Sequence, residues 1–172
     1  MRYFVIGYPG CGKTTICKQW SEESNILLLD SDEQISKANK LTISEIFDLY
    51  GEQYFRDLEY KFIRDLNDTD MIVSCGGGLP CYKDNMEYML DNGVVIWIKV
   101  SLDIIEERIK KDGLEKRPLM FKLAKTGQLS EYIKLQYNER EKIYKKANII
   151  LDYEKFSDYK WSEFEFVREK RT

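Results

Sequence analysis

The sequence predicts an α/β fold, a three-layer sandwich in which helices cover both faces of a central five-stranded parallel sheet. Short apolar runs alternate with longer segments of helical periodicity, which is the pattern of parallel strands joined by crossover helices. The first run leads directly into a glycine-rich loop and then a helix, as in proteins that bind phosphate. The chain has 172 residues, of which 43% are hydrophobic, so we expect one domain, residues 1–172, with a sizeable core.

Five apolar runs are predicted to be the strands, because parallel strands buried on both faces are apolar along their whole length. Several of them are also rich in β-branched residues, which favour strands. The predicted strands cover residues 3–6, 26–29, 71–73, 94–100 and 148–151.

The helices are predicted from the spacing of apolar residues and from residues that start or stop helices. Ser31 and Ser101 are placed to cap the helices that follow them, and Gly93 and Gly113 are placed to end helices. Gly51 separates two helices. The predicted helices cover residues 13–23, 32–38, 43–50, 54–67, 84–92, 101–112 and 129–146.

Two segments have no clear pattern. Residues 115–128 are polar and basic and contain Pro118 and Gly127, so we predict a mobile segment there. After Asp152 the pattern is ambiguous, with one candidate helix near residues 163–170.

Residues 7–14 are GYPGCGKT and match the phosphate-loop motif G-x-x-x-x-G-K-[ST]. The glycines allow backbone conformations that turn successive N–H groups inward around a phosphate. Lys13 supplies a point charge for the β- and γ-phosphates, and the Thr14 hydroxyl is placed to bind Mg²⁺. Because a strand precedes the loop and the positive end of a helix follows it, we predict a nucleotide site rather than a glycine turn without a ligand.

Cys11 lies inside this loop, beside Lys13 and the N-terminus of a helix. That setting favours the thiolate form of a cysteine, which would make Cys11 reactive. The alternative is a small side chain that fills space and has ordinary reactivity.

The composition argues against several other classes of function. The net charge of −3 is unlike that of a non-specific nucleic-acid binder, and no apolar run reaches the length of a membrane span. The four cysteines show no C-x-x-C spacing and the chain has no histidine, which argues against a structural zinc site and a histidine general base. The chain enters its first strand at once, so we expect no signal or transit peptide and a cytoplasmic protein.

Three segments that contain glycines or aspartates directly follow predicted strands: residues 7–14, 30–32 and 76–78. Ligands of parallel sheets bind beyond the carboxyl ends of the strands, so these segments are expected to form one site. The N-K-x-D motif of GTPases is absent and the chain is short for a motor domain, which favours a small-molecule kinase. In such an enzyme one of the carboxylates Asp30 and Asp32 can hold Mg²⁺ or its waters, and the other can orient the attacking hydroxyl and accept its proton. The alternative is that both are solvated acids at the start of a helix.

Arg56 and Arg140 would suit an acceptor that carries a carboxylate, because arginine forms two-pronged bonds to that group. Taken singly, each arginine is more typical of an exposed surface residue than of a binding site.

Together these segments resemble the shikimate kinase family. The matching pieces, in the family's order and near its spacing, are GYPGCGKT (7–14), DSD (30–32), ISEIF (43–47), GEQYFRDLE (51–59), GGG (76–78), RPL (117–119) and YNEREKIY (137–144). The resemblance spans residues 2 to about 151. It implies a P-loop kinase fold with a mobile lid at about 115–128 and acceptor-binding helices at about 32–67. It also implies a cytoplasmic enzyme, often monomeric, that uses ATP and Mg²⁺ to phosphorylate the 3-hydroxyl of shikimate in chorismate biosynthesis, without nucleic-acid or membrane partners.

The resemblance implies roles for particular positions. The ATP phosphates would be wrapped by Gly10, Cys11, Gly12, Lys13, Thr14 and Thr15. Thr14 would bind Mg²⁺, and Asp30 would lie near the metal through water. Arg108 would lie against the adenine, and Arg117 would reach from the lid to the transferring phosphate.

On the acceptor side, the resemblance implies that Asp32 binds the ring hydroxyls and orients the one that is phosphorylated. Arg56 and Arg140 would hold the shikimate carboxylate. The triplet Gly76, Gly77 and Gly78 would line the same site, with Gly77 closing over the ring. The catalytic set implied is Lys13, Asp32 and Arg117.

Two positions depart from the family pattern. Pro9 stands where the family often has methionine, and Lys142 stands where it has proline. Two alternatives to shikimate phosphorylation stay open at this point: a kinase of the same fold acting on another polyol or hydroxy acid such as gluconate, and a nucleotide-binding regulator without turnover.

Overall fold

The computed structural model describes residues 1–67, 69–111, 114, 118–153, 160 and 161. The five predicted strands are all present, within one or two residues of the expected ends, as β1 (Arg2–Ile6), β2 (Leu27–Asp30), β3 (Met71–Ser74), β4 (Val94–Lys99) and β5 (Ile149–Asp152). They form one sheet in the order β2-β3-β1-β4-β5, and each adjacent pair is parallel. Helices cover both sides of the sheet, so the predicted α/β sandwich is confirmed.

β1 lies at the centre of the sheet, which explains its composition. Tyr3 is in register with Ile72 of β3 on one side and with Val94 of β4 on the other. Phe4 and Val5 are fully buried, as expected for a strand that is paired at both edges and covered on both faces. This central strand leads directly into the phosphate loop, so the loop is attached to a buried strand that is paired at both edges.

In the described part of the chain the helices are α1 (Lys13–Ser24), α2 (Ser31–Asn39), α3 (Ile43–Arg64), α4 (Asn85–Asn92), α5 (Leu102–Lys111), α6 (Pro118–Lys125) and α7 (Leu129–Tyr144). A 3₁₀ turn covers Leu79–Cys81. Gly51 lies inside α3 with φ 82° and ψ 168°, which kinks the helix at the break that the sequence predicts. No helix within the described ranges is long and apolar enough to cross a membrane.

α6 is a helix that the sequence analysis did not assign, since residues 115–128 were predicted only to be mobile. Pro118 is its first residue, a position that proline favours because the missing N–H would have no partner there. Gly127 follows the helix with φ 75°. Whether the segment moves is not tested, and its mobility stays a prediction. The predicted stop at Gly113 and the candidate helix at 163–170 lie outside the described residues.

The expected cap of α2 is wrong in one detail. Asp30, rather than Ser31, is the N-cap: its Oδ1 accepts the N–H groups of Asp32 at 3.1 Å and Glu33 at 3.3 Å. Ser31 is the first residue of the helix and is fully buried. Its hydroxyl oxygen accepts the N–H of Gly76 at 2.8 Å, which ties α2 to the segment after β3.

α2 and α3 form a small unit with a core of its own. Ile35, Ile46 and Phe55 are buried in a cluster separate from the main core of the sheet. Such a unit can hold side chains over the edge of the sheet at the carboxyl ends of the strands. It coincides with the helices expected to bind the acceptor.

Candidate active site

The phosphate loop has the backbone that its glycines permit. Gly10 and Gly12 both have φ 89°, a region that residues with a side chain rarely adopt. Within the loop the Cys11 N–H donates to the Tyr8 carbonyl at 3.0 Å, and α1 begins at Lys13. The positive end of α1 therefore points at the space enclosed by the loop.

A cavity of about 620 Å³ opens above this loop. Most of its lining comes from the loop and the first turn of α1, including Lys13, Thr14 and Thr15. The remaining lining residues are Asp32, Gly77, Arg108 and Tyr153. The phosphate loop and Asp32, the aspartate predicted to orient the acceptor, thus line the same cavity.

The surroundings of Asp32 raise the pKa of its carboxyl group. Burial is the main cause of a raised pKa for this carboxyl, and the negative charge of Asp30 adds to it. The positive charges of Lys13 and Arg56 and a hydrogen bond from Ser31 act in the opposite direction. Asp32 is therefore a more basic carboxylate than an exposed aspartate, which suits a proton acceptor.

The glycine triplet lies between the charged side chains of the site, and its lack of side chains is a packing requirement. A Cβ at Gly76 would lie 2.6 Å from Oδ1 of Asp32 and 2.6 Å from Oε1 of Glu59. A Cβ at Gly78 would lie 2.5 Å from three guanidinium atoms of Arg56. Each glycine thus permits a close approach that any larger residue would block.

Gly77 forms the wall between the two parts of the site. A Cβ there would lie 2.7 Å from Cδ of Pro9 and 3.1 Å from Nη1 of Arg140. The hydroxyl of Tyr144 donates to the Gly77 carbonyl. Pro9, the departure from the family pattern, therefore packs directly on the triplet.

Arg56 is held by two carboxylates of its own helix. Its Nη1 donates to Oε2 of Glu59 at 2.6 Å, and its Nη2 donates to Oε1 of Glu52 at 2.9 Å. Glu59 is fully buried, whereas Glu52 is exposed. The pKa of Glu59 is raised to about 7. Burial is the largest cause, and it outweighs the positive charges of Arg56 and Arg140, which act in the opposite direction. The arginine is thus fixed in place before any ligand arrives.

A second cavity, of about 350 Å³, has Gly78 of the triplet in its lining and none of the phosphate-loop residues. It contains both arginines that were predicted to bind a carboxylate. Its lining residues are Glu52, Gln53, Arg56, Gly78, Cys81, Tyr82 and Arg140. Gln53 and Tyr82 are joined by a hydrogen bond, and the Tyr82 hydroxyl donates to Asp57 at 2.7 Å, which fixes the turn after the triplet against α3.

The remaining predicted positions have mixed outcomes. Cys11 lines the nucleotide cavity, but its side chain is buried at 1% exposure, which favours the space-filling alternative. Asp30 uses one oxygen to cap α2, and its role near a metal stays a prediction. Lys142 is a basic residue in the last turn of α7, and its side chain forms a surface ion pair with Glu139. Arg117 lies outside the described residues.

Sequence reasoning missed two side chains of the site. Glu59 follows Arg56 by three residues, a spacing that brings side chains together on a helix, and this signal was present in the sequence. Tyr153 gave no signal, because it follows the last strand in a region without a pattern. Only the fold brings it beside Arg108.

Residues 9–167 match the sequence profile of the family described as shikimate kinase. The shikimate kinase of Persephonella marina is 38% identical over 157 residues, 91% of each chain. That of Sulfurihydrogenibium sp. is 37% identical over 153 residues, 88% of this chain and 87% of its own. The crystal structure of shikimate kinase from Aquifex aeolicus has a TM-score of 0.78 and 30% identity, and the match covers 99% of this chain and 98% of that one. The chain belongs to the shikimate kinase family.

Proposed function

We propose that the protein transfers the γ-phosphoryl group of ATP to the 3-hydroxyl of shikimate. The observation that carries this proposal is the order of groups along the site: a phosphate loop, then Asp32, then a pair of arginines beyond the glycine triplet. An acceptor that lies across the triplet would place a hydroxyl at Asp32 and a carboxylate at Arg56 and Arg140. Shikimate has this arrangement of groups on a rigid ring.

The donor would bind with its phosphates inside the loop. The backbone N–H groups near Gly12 and the charge of Lys13 would neutralise the phosphate oxygens, which carry the spreading negative charge in a loose transition state. Lys13 and Thr14 stand at the start of α1, so the helix end adds to the same attraction.

Mg²⁺ fits the donors that this site offers. The Thr14 hydroxyl and the carboxylates of Asp30 and Asp32 offer hard oxygen donors, which Mg²⁺ prefers. Mg²⁺ is usually bound by one or two protein ligands together with substrate phosphates. Thr14 would bind it directly and Asp30 through water; when bound, it neutralises charge on the β- and γ-phosphates.

The acceptor carboxylate would be held by Arg56 and Arg140. Two guanidinium groups in one cavity can give it several charge-assisted hydrogen bonds. Glu59 and Glu52 hold Arg56 at a fixed position, so little conformational entropy is lost when the acceptor binds. The guanidinium carbon of Arg140 lies 5.3 Å from the centre of the Tyr8 ring, a cation–π contact that helps to hold Arg140 in place.

Asp32 would accept the proton of the attacking hydroxyl. It lies in the same cavity as Lys13, and the buried position that raises its pKa makes it a better proton acceptor. Arg117, from the lid, would add positive charge at the transferring phosphate and exclude water. Arg108 would bound the nucleotide side of the cavity. A monomeric state and a cytoplasmic location remain predictions.

A panel of acceptors tests this proposal. ADP release is measured with shikimate, with gluconate and without an acceptor, for the natural protein and for Arg56→Lys. We expect turnover with shikimate alone, and a shikimate KM at least about tenfold higher in Arg56→Lys, because lysine cannot form the two-pronged bond. Turnover of gluconate but not shikimate would overturn the choice of acceptor, and a normal shikimate KM in Arg56→Lys would overturn the role of Arg56.

A further inference from the structure

Arg108 lines the cavity above the phosphate loop and also contacts the main chain of that loop. Its Nη1 donates to the carbonyl of Cys11 at 3.2 Å and to that of Gly10 at 3.4 Å. A Cβ at Gly12 would lie 3.4 Å from the same nitrogen. A side chain of α5 thus forms hydrogen bonds to the main chain of the loop, 97 and 98 residues away in sequence.

The guanidinium is also supported on its other side. Its central carbon lies 4.7 Å from the centre of the Tyr153 ring, in the range of a cation–π contact. The N–H of Tyr153 donates to the Lys99 carbonyl at 2.9 Å, so this ring is attached to the ends of β4 and β5. The Arg108 guanidinium is therefore held both by the loop carbonyls and by the Tyr153 ring.

The two carbonyls belong to successive peptide units, each of which carries its own N–H group. In a trans peptide the C=O and N–H point in opposite directions. The unit with the Gly10 carbonyl carries the Cys11 N–H, which donates to Tyr8 inside the loop. The unit with the Cys11 carbonyl carries the Gly12 N–H, which must therefore point away from Arg108.

We propose that Arg108 is a positioning residue for the phosphate loop: by binding the Cys11 carbonyl it keeps the Gly12 N–H turned toward the phosphates. The glycine backbone at Gly10 and Gly12 gives the intervening peptides freedom to rotate, and the charged donor removes that freedom. The inference rests on the proposed function, since it needs phosphates in the loop. It differs from a contact between Arg108 and a nucleobase, because it acts on the loop itself.

A ligand without a base separates these two roles. We expect Arg108→Gln to weaken binding of ATP and of inorganic tripolyphosphate by the same factor, about 10- to 100-fold, as for the loss of hydrogen bonds from a charged donor. Both dissociation constants are measured by calorimetry in the presence of Mg²⁺. A loss confined to ATP would overturn the inference and leave the proposed function intact. Failure of the natural protein to bind either ligand would instead count against the proposed function.

The glycine amides give a readout in the ligand-free protein. The chain has 10 glycines, so labelling with ¹⁵N-glycine yields a simple spectrum. We expect Arg108→Gln to shift the Gly12 resonance before any ligand is added. An unshifted Gly12 resonance together with weak tripolyphosphate binding would mean that Arg108 acts directly on the phosphates, and the inference would fail.

Two controls guard against general effects. Lys110→Gln removes the same charge from the same helix at an exposed position paired with Glu106, and it should leave ATP binding and the Gly12 resonance unchanged. Tyr153→Leu removes the ring that supports the guanidinium and should reproduce part of the Arg108→Gln effect on tripolyphosphate, whereas Tyr153→Phe should not. A Tyr153→Leu variant that binds tripolyphosphate normally would show that the ring does not hold Arg108 in place.

Discussion

Replacing Gly78 by alanine tests the acceptor site with a single methyl group. Gly78 has φ −91° and ψ −17°, a conformation that alanine adopts without strain. The new Cβ would lie 2.5 Å from Cζ, Nη1 and Nη2 of Arg56. Since non-bonded heavy atoms need about 3.5 Å, the guanidinium would have to retreat by about 1 Å.

That displacement has two costs. The bond from Arg56 to Glu59, 2.6 Å long, would stretch toward the limit of a hydrogen bond. A hydrogen bond to a charged group contributes about 1.5–3 kcal/mol, so the variant should lose at most about this much in free energy of unfolding. The same energy lost between Arg56 and the acceptor would raise the shikimate KM by about 10- to 100-fold.

Coupled ADP release measures this prediction with an internal control. We expect the shikimate KM of Gly78→Ala to rise while the ATP KM stays within about twofold, because Gly78 lines the second cavity and not the cavity above the phosphate loop. An unchanged shikimate KM in a folded variant would refute the placement of Arg56. An equal rise in both KM values would show that the methyl group disturbs the whole site.

Three further outcomes are expected. Ser31→Ala removes the acceptor of the buried Gly76 N–H, so urea unfolding should show a loss of about 1–3 kcal/mol. Asp32→Asn should lower kcat by about 10²- to 10⁴-fold with little change in melting temperature. Burial raises the pKa of Asp32, so the natural protein should lose kcat on acidification at a higher pH than an enzyme with an exposed aspartate would. The pKa of Glu59 is about 7 in the folded protein and about 4.5 in the unfolded chain. The folded state therefore binds the proton of the Glu59 carboxyl more tightly than the unfolded state does. Stability should therefore fall as pH rises from about 4.5 to 7, and Glu59→Gln should flatten that dependence in urea titrations at several pH values.

The strands were predictable because a strand that is buried on both faces is apolar along nearly its whole length. Residues Met71–Ser74 of β3, for example, are all buried, and the sequence there is apolar up to the final serine. The phosphate loop was predictable for a related reason, since its chemistry needs particular residues at fixed spacing. The motif could be located without knowledge of the fold.

The segment of α6 shows how local signals can mislead. In the sequence Pro118 and Gly127 predict an irregular segment, yet Pro118 starts the helix and Gly127 follows its end. Met120 and Leu123, three residues apart, pack against the core and supply the helical spacing. The same residues that break a helix in its interior define its ends.

The rest of the site depends on tertiary contacts. Glu59 is a glutamate on a helix, a residue type that is usually exposed, and only the packing of α3 beside Gly76 buries it. Ser31 was expected to cap its helix but instead bonds a backbone N–H 45 residues away. Arg108 was placed near the adenine by resemblance, while its bonds to the loop could be seen only in the fold.

The most direct test of the account is ADP release by the natural protein with ATP and Mg²⁺, with and without shikimate, together with the binding of ATP alone. We expect ATP to bind with and without shikimate, and ADP release to depend on shikimate. ATP binding without shikimate-dependent release would contradict the acceptor roles of Asp32, Arg56 and Arg140. The phosphate loop and its cavity would then serve another acceptor.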